Sequence, residues 1–204
     1  MTADNSEQIA TLRIELVDTD PMIWRQVEVP TAITLKTLHD VVQAAMGWFD
    51  QHLWEMRLGL QRYGQPIPGD DWGGPPILRA DKIRLGEILE PRKTVLDYTY
   101  DFGDSWEHRL TLTDVRPGEP DTVYPRYVAG ERAAPPEDCG GIPGFYYGLE
   151  ALADPSHPEH EEVAGWFDGY DADDFDDLPL KIAIDRIASR RRAGKVRKAR
   201  LGTA

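Results

Sequence analysis

Apolar and polar residues alternate along much of the first half of the chain. Thr11 to Val17 and Met22 to Val29 keep the two-residue period of a strand, and Asp18-Thr19-Asp20-Pro21 between them is a turn signal. The period then changes. Leu35, Leu38, Val41, Val42, Ala45 and Met46 recur at helical spacing, with Thr34 placed to cap the helix and Gly47 to end it. Alternation resumes at Trp54, Met56, Leu58 and Leu60, which predicts a third strand. Gln61 to Ala80 is rich in Gly, Pro and Asp and predicts a loop. Ile83 to Leu89 predicts a short turn of helix or strand.

The densest stretch follows. Leu96, Tyr98, Tyr100 and Phe102 alternate with polar residues, and so do Trp106, His108, Leu110 and Leu112. Gly103-Asp104-Ser105 supplies turn chemistry between them. An even loop would set the aromatic row against polar residues, so matching of faces favours an odd one. The register expected is Phe102 opposite Trp106, Tyr100 opposite His108, Tyr98 opposite Leu110 and Leu96 opposite Leu112. This places His108 on the apolar face, beside Tyr100.

Past Val115 the pattern weakens. Arg116 to Asp138 is rich in Pro, Gly and charge, with a short strand expected at Tyr127-Val128. Ile142 to Ala153 predicts a helix entered through Gly140-Gly141. Pro158 opens another, with Glu159, Glu161 and Glu162 in its first turn, where the helix dipole favours them. Asp168 to Asp177 predicts an acidic loop, and Leu180 to Ala188 a last amphipathic helix running into a basic, disordered end. The order of elements predicts an α+β fold, a mixed sheet with a helix packed on one face in a β-grasp-like arrangement, then a C-terminal helical segment. The organisation expected is a disordered N-terminus over 1–10, one domain over 11–180 (a sheet-rich core to 130, a helical part from 131), and a terminal helix and basic tail over 181–204.

Charge sharpens the picture of partners. Residues 181–204 hold nine Lys or Arg against one Asp, a net of +8, so the formal net charge of −13 leaves −21 on the first 180. A body this acidic repels nucleic acid and anionic membrane. Any nucleic-acid contact is therefore expected only at the tail, through Arg190, Arg191, Arg192, Lys195, Arg197, Lys198 and Arg200. The start is polar, without the apolar core of a signal peptide, and no apolar run spans a bilayer. A single cysteine, Cys139, leaves no intrachain disulfide. The expected location is the cytoplasm.

Two segments carry a resemblance to a known family. Tyr98-x-Tyr-Asp-Phe-Gly-Asp-x-Trp-x-His108 and Pro135-Pro-Glu-Asp-Cys-Gly-Gly-x-x-Gly144 are similar to the two signatures of the plasmid pRiA4b ORF-3-like family. Leu38-His39 with Ala44-Ala-Met-Gly-Trp48, and His157-Pro-Glu-His-Glu-Glu162, resemble its helix and its C-terminal part. The resemblance runs from about Thr11 to Leu178. It implies the ORF-3-like fold and an origin on a plasmid or mobile element, and it implies no established activity. The family often reads His-Leu-His after the first helix, where this chain has His52-Leu53-Trp54.

The candidate functional residues come from both signatures: Tyr100, Asp101, Asp104, Trp106, His108, Glu137, Asp138 and Cys139. Carboxylates, an imidazole and a thiolate are ligands for a divalent metal, and Asp104, His108 and Cys139 are the metal candidates. Against this, the chain lacks the paired short-spaced ligands usual for zinc. Cys139 precedes a helix start, which lowers a thiol pKa, but Glu137 and Asp138 beside it act the other way. Gly140-Gly141 offers backbone N–H groups to an anion, or simply makes a tight turn. No P-loop, esterase elbow or His-Glu-x-x-His helix occurs, since Ala164 stands where the second histidine would fall. Three readings follow: an accessory protein that binds a protein partner through the face bearing the signatures, a metal-dependent or acid–base enzyme using Asp101, Asp104, His108 and Cys139, or a nucleic-acid-associated protein acting through its tail.

Overall fold

The alternating stretches form one sheet, and the helical stretches cover one face of it. The computed structural model describes residues 7–66, 75–90 and 93–201, without the side chains of 198–201. The chain runs β1 (Gln8–Leu16), β2 (Ile23–Pro30), α1 (Leu35–Met46), β3 (Trp54–Leu58), β4 (Gln61–Gly64), β5 (Ile77–Arg79), α2 (Leu85–Ile88), β6 (Val95–Tyr100), β7 (Trp106–Pro117), β8 (Arg126–Glu131), α3 (Gly141–Ala153), α4 (His160–Phe167) and α5 (Leu178–Leu201). The strand order is β5-β4-β3-β6-β7-β1-β2-β8 in an eight-stranded sheet, antiparallel except for the β4–β5 pair. The fold is α+β, with the helix on one face and the helical C-terminal segment as expected.

Each central strand puts its apolar set on the helix side. Leu12, Ile14 and Leu16 of β1, Ile23, Val27 and Val29 of β2, and Leu110 and Leu112 of β7 are buried there against Leu38, Val42 and Ala45 of α1. The polar set, including Arg13, Glu15, Asp97, Glu107 and Arg109, faces the other way, the pattern of an antiparallel sheet with one wet face. Thr34 caps α1 by accepting the Thr37 N–H, and Gly47 ends it in the left-handed conformation. Arg25 is a charged exception on the core side. It is wholly buried, donates to the carbonyls of Trp24, Ala45 and Glu131, and lies over the Phe175 ring. Burial lowers its pKa to about 10.

The hairpin departs from the expected register. Its loop is odd, but Tyr100 faces Trp106 and Tyr98 faces His108, one pair short of the expected pairing. Phe102 is not a strand residue and stands 55% exposed. The cause is a longer loop, closed by Asp101 and Ser105 in the left-handed region, with the Asp101 carboxylate accepting the Gly103 N–H at 2.8 Å. His108 remains on the apolar face.

Three other expectations change. β1 begins at Gln8, inside the stretch expected to be disordered, with Ile9 and Ala10 buried; residues 1–6 lie outside the described residues. The Gln61–Ala80 loop contains β4 and β5, short strands at the sheet edge, while 67–74 lie outside the described residues. The basic end is a helix rather than a disordered tail. Arg, Lys and Ala are strong helix formers, and α5 runs on through them while Arg191 and Lys195 pair with Glu7 beside β1.

Candidate functional site

The site is built on residues 47–53, which lead from α1 to β3. Nearly every residue of this segment is tied to another element. The Trp48 indole donates to the Pro135 carbonyl at 2.9 Å. The Phe49 N–H donates to Glu137 Oε2 at 2.9 Å, and the Gln51 N–H to the Tyr100 hydroxyl at 3.0 Å. Asp50 takes a left-handed conformation and donates its N–H to Gln43 Oε1. The Leu53 carbonyl accepts the Asp101 N–H at 2.9 Å.

The two signature segments close over this segment from either side. The Tyr100 hydroxyl donates to Glu137 Oε1 at 2.5 Å, and burial followed by Glu137 raises the phenol pKa. Asp104 Oδ2 accepts the Gly140 N–H at 3.1 Å. The anion that the Gly140-Gly141 turn holds is therefore the chain's own carboxylate. Gly141 has φ of 66°, and a Cβ there would overlap the Asp104 carbonyl oxygen, so only glycine lets the hairpin loop rest on the start of α3.

At the mouth of this junction, three potential ligands gather: His52, Asp101 and Asp138, with ligand atoms all within 4.8 Å of one another. His52 Nε2 is 2.8 Å from Asp138 Oδ1, and Nδ1 is 3.6 Å from Asp101 Oδ2. The short contact pairs charges only when the imidazole is protonated, and it does not have the geometry of a hydrogen bond. Nε2 is buried and has no hydrogen-bond partner. Side-chain exposure rises from 13% at Asp101 through 30% at His52 to 49% at Asp138, so the group opens to solvent on one side. Imidazole with two carboxylates is a donor set for a divalent transition metal.

The metal candidates Asp104, His108 and Cys139 do not form such a group among the described residues. His108 lies inside the core, wedged between Trp48 and Tyr98 at 5.3 Å between ring centres. Its Nδ1–H donates to the Trp106 carbonyl and its Nε2 is buried without a partner. Burial lowers its pKa to about 4. Trp106 is wholly buried beside it. Cys139 is half-buried, and burial reinforced by Asp104 pushes its thiol up to about 12, so the thiolate needed by a nucleophile or a soft metal ligand is scarce.

A second cluster escaped the sequence reading. His39, on the buried face of α1, accepts from the Tyr98 hydroxyl through Nδ1 at 2.8 Å and donates from Nε2 to Asp50 Oδ1 at 2.7 Å. The carboxylate only accepts, which fixes the tautomer. Gln43 donates to the same hydroxyl at 2.9 Å, and Trp54 stacks on the imidazole at 4.1 Å. Burial and Lys36 outweigh Asp50 and lower the His39 pKa to about 4. The signal was present: Leu35, His39 and Gln43 are successive i, i+4 positions on the apolar stripe, where a polar side chain requires a buried partner.

Of the tail candidates, Arg190, Arg192 and Arg197 are exposed, Arg191 and Lys195 hold Glu7, and the Lys198 and Arg200 side chains lie outside the described residues. No helix among the described residues is long and apolar enough to cross a membrane.

Comparison with known proteins agrees with the signatures. An uncharacterized protein, y4hQ, of Sinorhizobium fredii (strain NBRC 101917 / NGR234) is 35% identical over 184 residues, covering 89% of this chain and 93% of that protein. The crystal structure of MM3350, a protein of unknown function from Methanosarcina mazei Go1, superposes with a TM-score of 0.77 at 32% identity, over 84% of this chain and 97% of that one. With the family model matching residues 8–178, the chain belongs to the plasmid pRiA4b ORF-3-like proteins.

Proposed function

We propose that this protein is a binding protein, an accessory of a plasmid or mobile element, that holds a divalent cation at His52, Asp101 and Asp138 and presents that site to a protein partner. One observation carries the reading: a buried histidine nitrogen without a hydrogen-bond partner, beside two carboxylates, at the point where both family signatures meet. A cation would draw in the lone pair that the packing leaves unused. Leu53 and Phe102, on the two loops that build the site, are 49% and 55% exposed, apolar surface suited to a partner beside a charged centre. The chemistry favours binding over covalent catalysis, since the Cys139 thiol is pushed up and His108 is sealed in the core.

The test is calorimetric titration of chelator-treated protein with Zn²⁺ and Mn²⁺. One equivalent is expected to bind the wild type, and His52→Ala and Asp138→Asn are each expected to abolish uptake without unfolding. Absence of uptake, or uptake that survives both substitutions, rejects the cation.

A further inference from the structure

Between α1 and α5 the surface sinks into a cleft of about 950 Å³. Its walls carry arginines from two elements beside the carboxylates Asp40 and Asp50. Arg84 precedes α2, and Arg186 and Arg190 stand one turn apart on α5. Among the described residues none of the three has a carboxylate partner within 4.0 Å. The acidic side chains facing the cleft are already engaged. Lys36 holds Asp40 at 2.8 Å and Asp50 at 3.1 Å, and His39 holds Asp50 as well. Three guanidinium groups without carboxylate partners outweigh the two cleft carboxylates, which share one lysine, and make this cleft locally positive in a chain of net charge −13.

Apart from Arg191, which is held by Glu7, the rest of the lining is apolar or uncharged. Ala44 and Ile187 form part of the floor, and Phe49 stands at the wall, 78% exposed, with its N–H fixed by Glu137. An exposed aromatic ring on a tethered backbone, beside arginines, is a stacking platform next to an anion site.

We infer that the α1–α5 cleft binds a small organic phosphate, its phosphates held by Arg84, Arg186 and Arg190 and its planar ring laid on Phe49. The planar fork of guanidinium matches phosphate oxygens two at a time. The cleft is of the size that small ligands occupy. Arg192 and Arg197 of the same helix, the exposed cations open to a nucleic-acid backbone, lie outside this cleft. The site uses none of His52, Asp101 or Asp138.

Equilibrium dialysis of the full chain with ATP, with pyrophosphate and with a labelled oligonucleotide, all without divalent cations, tests this. ATP is expected to bind saturably at one site and to weaken as salt is raised. The exposed pair Arg186→Glu/Arg190→Glu is expected to lose at least about tenfold in ATP affinity at an unchanged melting temperature, and Arg84→Glu alone to move the same way. Phe49→Ala is expected to weaken ATP and leave pyrophosphate unaffected. Three results overturn the inference: no saturable ATP binding at millimolar concentration, ATP binding that survives all three charge reversals, or oligonucleotide binding that ATP fails to displace and that Arg192→Glu/Arg197→Glu abolishes. ATP affinity unchanged in Phe49→Ala would remove the ring contact.

Discussion

Two groups in this molecule have the same composition and opposite character. His39, Asp40 and Asp50 gather as closely as His52, Asp101 and Asp138 do. In the first group both ring nitrogens and each carboxylate are engaged. His39 is bonded on both ring nitrogens, and Lys36 joins the two carboxylates. Burial works to raise the Asp50 pKa, but His39 and Lys36 prevail and hold it below the usual range. In the second group a buried ring nitrogen faces carboxylates without a bond to either. A histidine with two acids is thus a strut or a receptor according to whether its lone pairs are satisfied, and residue type alone does not distinguish the two.

Acid should separate them most. His39 and His108 have folded pKa values of about 4, below the 6.5 of an unperturbed histidine. The unfolded chain therefore takes up protons first as pH falls. Stability contributed by these groups is complete above about pH 6.5 and is lost between there and about pH 4, on the order of a few kcal/mol in all. Denaturant titrations at pH 7 and pH 4.5 read this loss, and His39→Gln should remove a large part of it. A stability unchanged between the two pH values would contradict neutral buried imidazoles.

Mutation at neutral pH gives the next effect. His39→Ala removes a stacked ring and strands the Tyr98 hydroxyl, at a cost of about 3 kcal/mol. Tyr98→Phe deletes only the hydroxyl and should cost about 1–2 kcal/mol, measured by the same unfolding curves. Neither should alter cation uptake at His52. Asp104→Ala frees the Gly140 N–H on a half-exposed surface and should cost about 1 kcal/mol, without loss of cation. Smallest of all, His52→Ala should change stability by under about 1 kcal/mol while abolishing cation uptake. A large loss of stability in His52→Ala would make it a strut after all.

Much of the sheet and α1 was legible because a single face is buried and period two leaves little choice. The hairpin register was not. Phe102 extends the alternation by one more apolar residue, and the loop residues in left-handed conformations are Asp101 and Ser105, which announce themselves less than glycine. β4 and β5 lie at an edge, where polar residues such as Gln61 and Arg62 leave no alternation to read. The candidate site was half legible. Asp101 and Asp138 came from the signatures, but segment 47–53 works largely through backbone N–H groups, which have no sequence signal. His52 entered only through the family pattern, and His39 was passed over because it sits within an apolar stripe.

Arg25 has a consequence for how the molecule comes apart. Its charge is solvated entirely by carbonyl oxygens, from β2 itself, from the last turn of α1 and from β8, and it is roofed by Phe175 in the acidic segment before α5. None of the three carbonyls can leave without removing part of the solvation of a guanidinium in an apolar interior, where an uncompensated ion is costly. β2, α1 and β8 are therefore bound into one cooperative unit by a single buried cation, and Phe175 adds the C-terminal segment to it through a cation–π contact.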